Sequence, residues 1–495
     1  MSFYLSAILG LPILGLIIIA LLPGNRAKAI RFTALGAALV SFILSIIVFI
    51  NFDRSAAAIG KMQFEEYLPW ISAINVNYHL GVDGLSLPLV ILMTLLGVLV
   101  VLVSWKISIR PKEYFIWILL LETSILGVFM SLDLILFFLF WELELFPMYF
   151  LISIWGSGRK EYSSIKYVIY TLTGSAFMLA GFLVIYFTTG SMNMMEIASK
   201  LPAAKAIIPA AALFFLLFIG FAIKLPMFPF HTWLPDAHTD APTGVSVILA
   251  GALLKMGGYG MIRLVVSILP DVARQLAPLL VFLAIVGVLY GAAATLRQTD
   301  LKRLIAYSSV SHMGYVLLGI FALNQVSLAG ASLQMFSHGI ITGLLFAMVG
   351  IVYDKTHDRN LKTLGGLARQ MPVVVVVFSI AGLASLGLPG TSGFVAEFTT
   401  FAGSYNSTAF DGIQIYTILG VFGVVLTAGY ILWMLQRAFY GPVQEKFNGL
   451  PDADLVEKIC TFTFVAAIML VGLYPSILTG IIQMGVEPVA RLFGM

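Results

Sequence analysis

The feature that most constrains this chain is a succession of apolar runs, each about as long as a lipid bilayer is thick. A membrane-spanning helix needs about 20 mostly apolar residues. Such runs recur at roughly 3–22, 31–50, 84–104, 114–131, 133–155, 166–188, 207–230, 242–266, 276–296, 302–322, 328–352, 372–400, 414–438 and 458–482. Of the 495 residues, 60% are hydrophobic and 11% charged, whereas a soluble domain carries about 25% charged residues. In lipid, backbone polar groups must be satisfied within a helix or a closed barrel, and runs of this length select helices. The expected fold is an all-α polytopic membrane protein of about 14 transmembrane helices, one integral domain over 1–495. The 45 glycines suit close helix packing. The first run lacks a basic leader and a convincing cleavage site, so 3–22 reads as a retained helix, not a signal peptide. The one long polar connection, 51–83, is expected to pack over one surface of the bundle.

Basic residues flank cytoplasmic ends of spans more often than outer ends. Connections after odd-numbered spans carry nineteen Lys and Arg; those after even-numbered spans, with the C-terminus, carry seven. The first set is expected to face the cytoplasm, with both termini outward. Two of the 28 basic residues remain, Lys224 and Lys255. Both fall inside spans.

Two spans are interrupted. Span 7 contains "KLPMFPF", with Pro226 and Pro229, and span 12 contains "GLPGTSGF", with Gly387, Pro389, Gly390 and Gly393. Proline removes a backbone donor and breaks the helical ladder. Paired breaks in corresponding positions point to inverted repeats with a site between them. Spans 4–8 (about 114–266) would match spans 9–13 (about 276–438), with helices 1–3 and 14 peripheral. The spacing agrees, with 82 residues from Glu142 to Lys224 and 85 from His312 to Glu397.

Eight ionisable residues lie within spans: Glu122, Glu142, Glu144, Lys224, Lys255, His312, His338 and Glu397. Each charged one costs about 2.5–3.5 kcal/mol at a helix centre on insertion scales, so they must pair or face water. Carboxylates, lysines and histidines spread over adjacent helices supply what a proton relay needs. Glu142 and Lys224 could equally be a structural ion pair, and His312 and His338 hydrogen-bonded core histidines or ligands of one haem. Glu142 and Glu144 are two residues apart, about 200° around an ideal helix. If Glu142 faces Lys224, Glu144 faces the opposite side. Glu122 and Glu144 are therefore candidates for contact with a neighbouring subunit. His231, Asp236 and His238, in "FHTWLPDAHTDAPTG", read as capping and turn residues or as auxiliary members of the path.

The single Cys460 excludes intramolecular disulfides and cysteine-ligated clusters. No dinucleotide fingerprint, phosphate loop or serine-hydrolase signature is present. No metal or cofactor site, and no nucleic-acid partner, is expected in this chain.

The stretches "GVDGLSLPLVIL" (81–92), "LDLILFFLFWELELFPMYFLISIWG" (132–156), "KLPMFPFHTWLPDAHTDAPTGVSVILAGALLKMGGYG" (224–260), "LKRLIAYSSVSHMGY" (301–315), "QMFSHGI" (334–340) and "LASLGLPGTSGFVAEF" (383–398) resemble the proton-pumping, antiporter-like subunits of respiratory complex I. The resemblance covers nearly the whole chain. Glu397, where sister subunits typically carry lysine, and the lack of a long lateral helix after span 14 resemble the M-type branch of that family, known in mitochondria as subunit 4. The resemblance implies a relay of Glu142, Lys224, Lys255, His312, His338 and Glu397, with Glu144 outside the shared pattern. It implies an energy-coupling membrane of bacterial inner-membrane type, antiporter-like neighbours on both sides, and lipid. NAD(H), FMN, iron–sulfur clusters and quinone would then belong to partner subunits. The large subunit of a multisubunit sodium/proton antiporter, or of an energy-converting hydrogenase, would carry similar motifs.

Overall fold

The computed structural model describes residues 3–58, 60–201, 205–442 and 444–494. Among these, twelve helices are long and apolar enough to cross a membrane. Numbered by the spans they fill, they are helices 1 (Tyr4–Leu21), 2 (Ala27–Ile50), 3 (Ser86–Val103), 4 (Pro111–Met130), 5 (Leu134–Trp155), 6 (Lys160–Thr189), 8 (Thr243–Val266), 9 (Pro270–Leu296), 10 (Leu301–Phe321), 11 (Gln325–Thr356), 13 (Ile413–Phe439) and 14 (Leu455–Leu473). The two remaining spans are broken where the prolines and glycines predict. Span 7 forms helices 7a (Ala210–Lys224) and 7b (Trp233–Asp240). Span 12 forms helices 12a (Pro372–Ser385) and 12b (Ser392–Tyr405). Helices 8 and 11 are wholly buried across their most apolar stretches, against 28% for helices 2 and 14. The polar-bearing helices thus form the centre, and the smooth apolar ones form the rim.

Three local departures from regular helix matter for the site. Helix 5 pauses at Glu144, between Leu134–Leu143 and Leu145–Trp155. Pro147 has no N–H to return to the Leu143 carbonyl, which loosens the ladder at that turn. Helix 8 contains two π-helical turns, Leu249–Leu253 and Met261–Val266, on either side of an α segment, Leu254–Gly260. Such turns are rare and concentrate at functional sites.

The fold is not purely helical. Residues 51–83 include a two-stranded antiparallel hairpin, β1 (Gln63–Ile71) with β2 (Val76–Val82). Alternation of side chains within so short a stretch left no signal apart from a polar loop. The last expected span, 458–482, is also too long. Helix 14 stops at Leu473, and a separate helix, Ser476–Arg491, follows Pro475. Its buried positions recur every three or four residues (Leu478, Ile481, Ile482, Gly485, Val486, Val489), so it is amphipathic.

One clasp occurs twice. Asp133 caps helix 5, accepting from the Ile135 and Leu136 amides at 2.9 and 3.2 Å, and bridges to Asn193 after helix 6. Asp300 caps helix 10, accepting from the Arg303 amide at 3.0 Å, and bridges to Asn360 after helix 11. The flanking backbone bonds correspond as well. Leu134 donates to Met192 and Met194 to Leu132; Leu301 donates to Arg359 and Leu361 to Thr299. Losing a helix cap costs about 1 kcal/mol. Asp133→Ala and Asp300→Ala are each expected to lower the thermal unfolding temperature of the purified assembly, and a rise in either would show that the clasp is strained.

Candidate functional site

The buried ionisable groups gather into two clusters. The first lies between helices 5, 6 and 7a. Lys224 is the last residue of helix 7a, placed there because Pro226 prevents the helix from continuing. Its Nζ donates to Glu144 Oε1 in a close contact and to the Tyr167 hydroxyl at 3.1 Å. Tyr167 donates to Glu144 Oε2 at 2.5 Å, closing a three-membered ring of bonds. The ammonium also lies 5.4 Å from the Trp141 ring and 5.3 Å from the Tyr167 ring, within cation–π range. All of this is sealed, since Lys224 and Glu144 side chains are 1% and 0% exposed.

This reverses one expectation. Glu144, not Glu142, faces Lys224. Glu144 keeps right-handed helical angles (φ −68°, ψ −22°), so the wheel still applies; its starting choice, Glu142 against Lys224, set helix 5 in the wrong rotation. Glu142 is half-buried at the end of the first segment of helix 5, and its Oε1 has no protein partner. Glu144 does not face outward to a neighbouring subunit. Tyr167 was missed by sequence reasoning; a tyrosine in an apolar span carries no charge to flag it.

The second cluster crosses helices 8, 11, 10 and 12. Lys255 is fully buried in the α segment between the two π turns. Its Nζ donates to the Ala250 carbonyl, within the preceding π turn, and lies 2.8 Å from His338 Nδ1. Thr342 Oγ1 is 3.4 Å from the same nitrogen. The His338 and His312 rings are 5.6 Å apart between centroids. His312 Nε2 lies 3.2 Å from Ser385 Oγ, at the end of helix 12a. His312 Nδ1 lies 3.3 Å from Glu397 Oε1 on helix 12b, without the alignment of a hydrogen bond. A small cavity of about 10 Å³, lined by His312, Gln334, His338, Ser385 and Glu397, occupies the space between them. That is close to the least volume that admits one water. With rings this close and a lysine and a serine at their nitrogens, the two histidines have no room for a haem between them.

The clusters abut. A Cβ added at Gly257, two residues after Lys255, would lie 2.7 Å from both the Phe221 carbonyl and the Leu225 amide. The end of helix 7a therefore packs backbone to backbone on the segment carrying Lys255, and only glycine permits it.

The remaining candidates sit elsewhere. Glu122 is inside the bundle against Gly97 of helix 3, fully buried, with both oxygens lacking a protein partner. It does not face a neighbour. Asp236 is not a cap; it gathers Lys166 at 2.7 Å, Arg303 at 3.8 Å and Arg159 at 4.0 Å. Those three belong to connections assigned to one side by their basic residues. His238 is no surface turn residue. It is fully buried, stacked 4.5 Å from Phe346, and neither ring nitrogen has a protein partner. His231 is buried beside Phe228 and Tyr290 at the break in span 7. Among the described residues, no three His, Cys, Asp or Glu side chains are grouped to hold a metal ion.

A bundle of this size, with two broken helices and buried cations joined to carboxylates and histidines through its centre, defines a membrane protein built to move ions. Residues 131–427 match the family model described as NADH:quinone oxidoreductase/Mrp antiporter, TM, and the chain belongs to that family. It is 43% identical over 487 residues to NAD(P)H-quinone oxidoreductase chain 4 1 of Picosynechococcus sp., covering 96% of this chain and 90% of that one. It is 40% identical over 498 residues to NADH-quinone oxidoreductase subunit M of Rhodobacter capsulatus, covering 97% and 94%. A chain in the structure of respiratory complex I from Thermus thermophilus with bound NADH shares the fold with a TM-score of 0.89, at 28% identity, covering 99% of this chain and 100% of that one.

Proposed function

We propose that this chain is an M-type membrane-arm subunit of a proton-pumping NADH:quinone oxidoreductase. Quinone reduction takes place in partner subunits, which hold NAD(H), FMN, iron–sulfur clusters and quinone. Here the chain carries protons from the cytoplasmic side to the outer side of an energy-coupling membrane. Residues 114–266 and 276–438 act as two inverted halves, and antiporter-like subunits flank the chain. The observation that carries this reading is the row Lys255, His338, His312, Glu397 across four helices, with a small cavity bordering His338, His312 and Glu397, beside the sealed Glu144–Lys224 pair.

The steps follow from the contacts. A proton arriving on Lys255 is within reach of His338 Nδ1. Histidine exchanges protons near neutral pH with little driving force, so His338 can pass charge toward His312 and then Glu397. Glu397 borders the outward path. Glu142, half-buried, supplies the Glu144–Lys224 pair. Helix 7a, which ends in Lys224, packs at Gly257 on the segment carrying Lys255, so a change in the pair is passed to Lys255 through that contact. His338→Leu tests the path in membrane vesicles containing the assembled complex. NADH-driven quinone reduction is expected to continue while vesicle acidification per electron falls. Full acidification in that variant would overturn the path.

A further inference from the structure

Helix 8 offers a second way out of the centre. Lys255, Tyr259 and Arg263 are spaced four residues apart and follow one another toward the end of the helix away from the basic connections. At about 1.5 Å per residue, Arg263 is only ~12 Å from Lys255 along the axis. Arg263, counted with the connection after span 8, lies inside the second π turn of helix 8. Beyond it is a surface cavity of about 210 Å³ lined by Asp83, Arg263, Ser267, Met484, Gly485 and Pro488. Tyr259, buried behind the guanidinium with its ring 5.5 Å away, does not reach that cavity. A driven pump holds a proton gradient across this stretch, and an unguarded cavity so close to Lys255 would let protons return.

We infer that the charge of the Arg263 guanidinium, placed beside Asp83, is the barrier that stops protons returning from this outer cavity to Lys255. Arg263 Nη2 lies 2.5 Å from Asp83 Oδ2. Asp83 Oδ1 accepts from the Leu85 and Ser86 amides at 3.0 and 2.9 Å, capping helix 3. Three of the carboxylate's four lone-pair positions are thus engaged. The guanidinium keeps its charge at every physiological pH and repels hydronium. A fixed arginine excludes protons from pores by the same physics. The guanidinium therefore does not serve as an outlet, because it does not hand a proton on. This inference rests on the reading of Lys255 as a relay lysine.

The test uses the assembled complex in proteoliposomes, with no substrate, under an imposed membrane potential. Arg263→Gln is expected to raise passive proton entry several-fold. One charge ~12 Å away at an effective dielectric near 20 alone accounts for a factor of about ten at Lys255. Asp83→Asn leaves the guanidinium in place and is expected to stay as tight as wild type. The double variant Asp83→Asn/Arg263→Gln keeps a hydrogen bond but no charge, and should leak like Arg263→Gln; either leaking variant decides the matter. Equal effects of Arg263→Gln and Asp83→Asn, or no leak in any variant, would overturn the barrier. Adding Lys255→Ala to Arg263→Gln is expected to abolish the leak. A leak that persists would show that it bypasses Lys255 and would overturn the route. The relay reading fails separately, through normal substrate-driven pumping in Lys255→Ala alone.

Discussion

Lys255→Ala should leave a complex that reduces quinone but no longer moves protons through this chain. Lysine is the one group in the centre of helix 8 that can carry charge, and it holds His338 from one side and the Ala250 carbonyl from the other. Alanine leaves His338 with no proton donor and removes the charge that links the two clusters. Proton transfer through the chain should slow by well over tenfold, a factor that each ~1.4 kcal/mol of barrier supplies. The measurement is the proton-to-electron ratio in vesicles, corrected for the contribution of other subunits. An unchanged ratio would remove Lys255 from the mechanism. Assembly should survive, because a neutral alanine in a wholly buried helix lifts a desolvation cost instead of adding one.

The second large effect concerns the two glutamates of helix 5. Glu144→Gln should strip Lys224 of its buried counter-ion, whereas Glu142→Gln should alter only the supply to the pair. Breaking a buried pair by removing one partner costs about 3–5 kcal/mol, so Lys224 in the first variant would lose its proton or be displaced. Proton transport is expected to fall about tenfold or more in Glu144→Gln and by a smaller factor in Glu142→Gln. Lys224→Met should resemble Glu144→Gln, and the double variant Glu144→Gln/Lys224→Met should be no worse than either, because the pair acts as a unit. A larger loss in Glu142→Gln would show that the working contact to Lys224 comes from Glu142.

These predictions differ from what the sequence alone suggests, and the reason is local. Apolar length located the spanning helices, though it merged the amphipathic helix Ser476–Arg491 into the last of them, and the Pro and Gly positions located both breaks, because lipid leaves the backbone few alternatives. The set of buried ionisable residues was also legible, since charge in an apolar run is conspicuous. What could not be read was how each helix is rotated. Helix 5 is turned so that Glu144 meets Lys224, and a helical wheel gives only the angle between the two acids, not which of them faces inward. Tyr167 and Gln334 were invisible because neither is charged, yet one closes the Glu144–Lys224 ring and the other lines the His312–His338 cavity. The hairpin at 63–82 and the π turns of helix 8 have no hydrophobic period long enough to announce them.

The π turns carry a consequence for how charge could be redirected. A π turn bonds five residues back instead of four, so it stores one residue more than the α turn it replaces. Moving that surplus residue along the helix re-aims everything between the old and new positions by about 100°. Lys255 sits between two such turns, at Leu249–Leu253 and Met261–Val266. A one-residue exchange there would swing its ammonium from His338 toward the side of helix 7a. The start of helix 8, anchored by Thr243 packed on Gly350, would not have to move. The moving part of such a device would be a few hydrogen bonds inside one helix, in a bundle whose other helices can stay still.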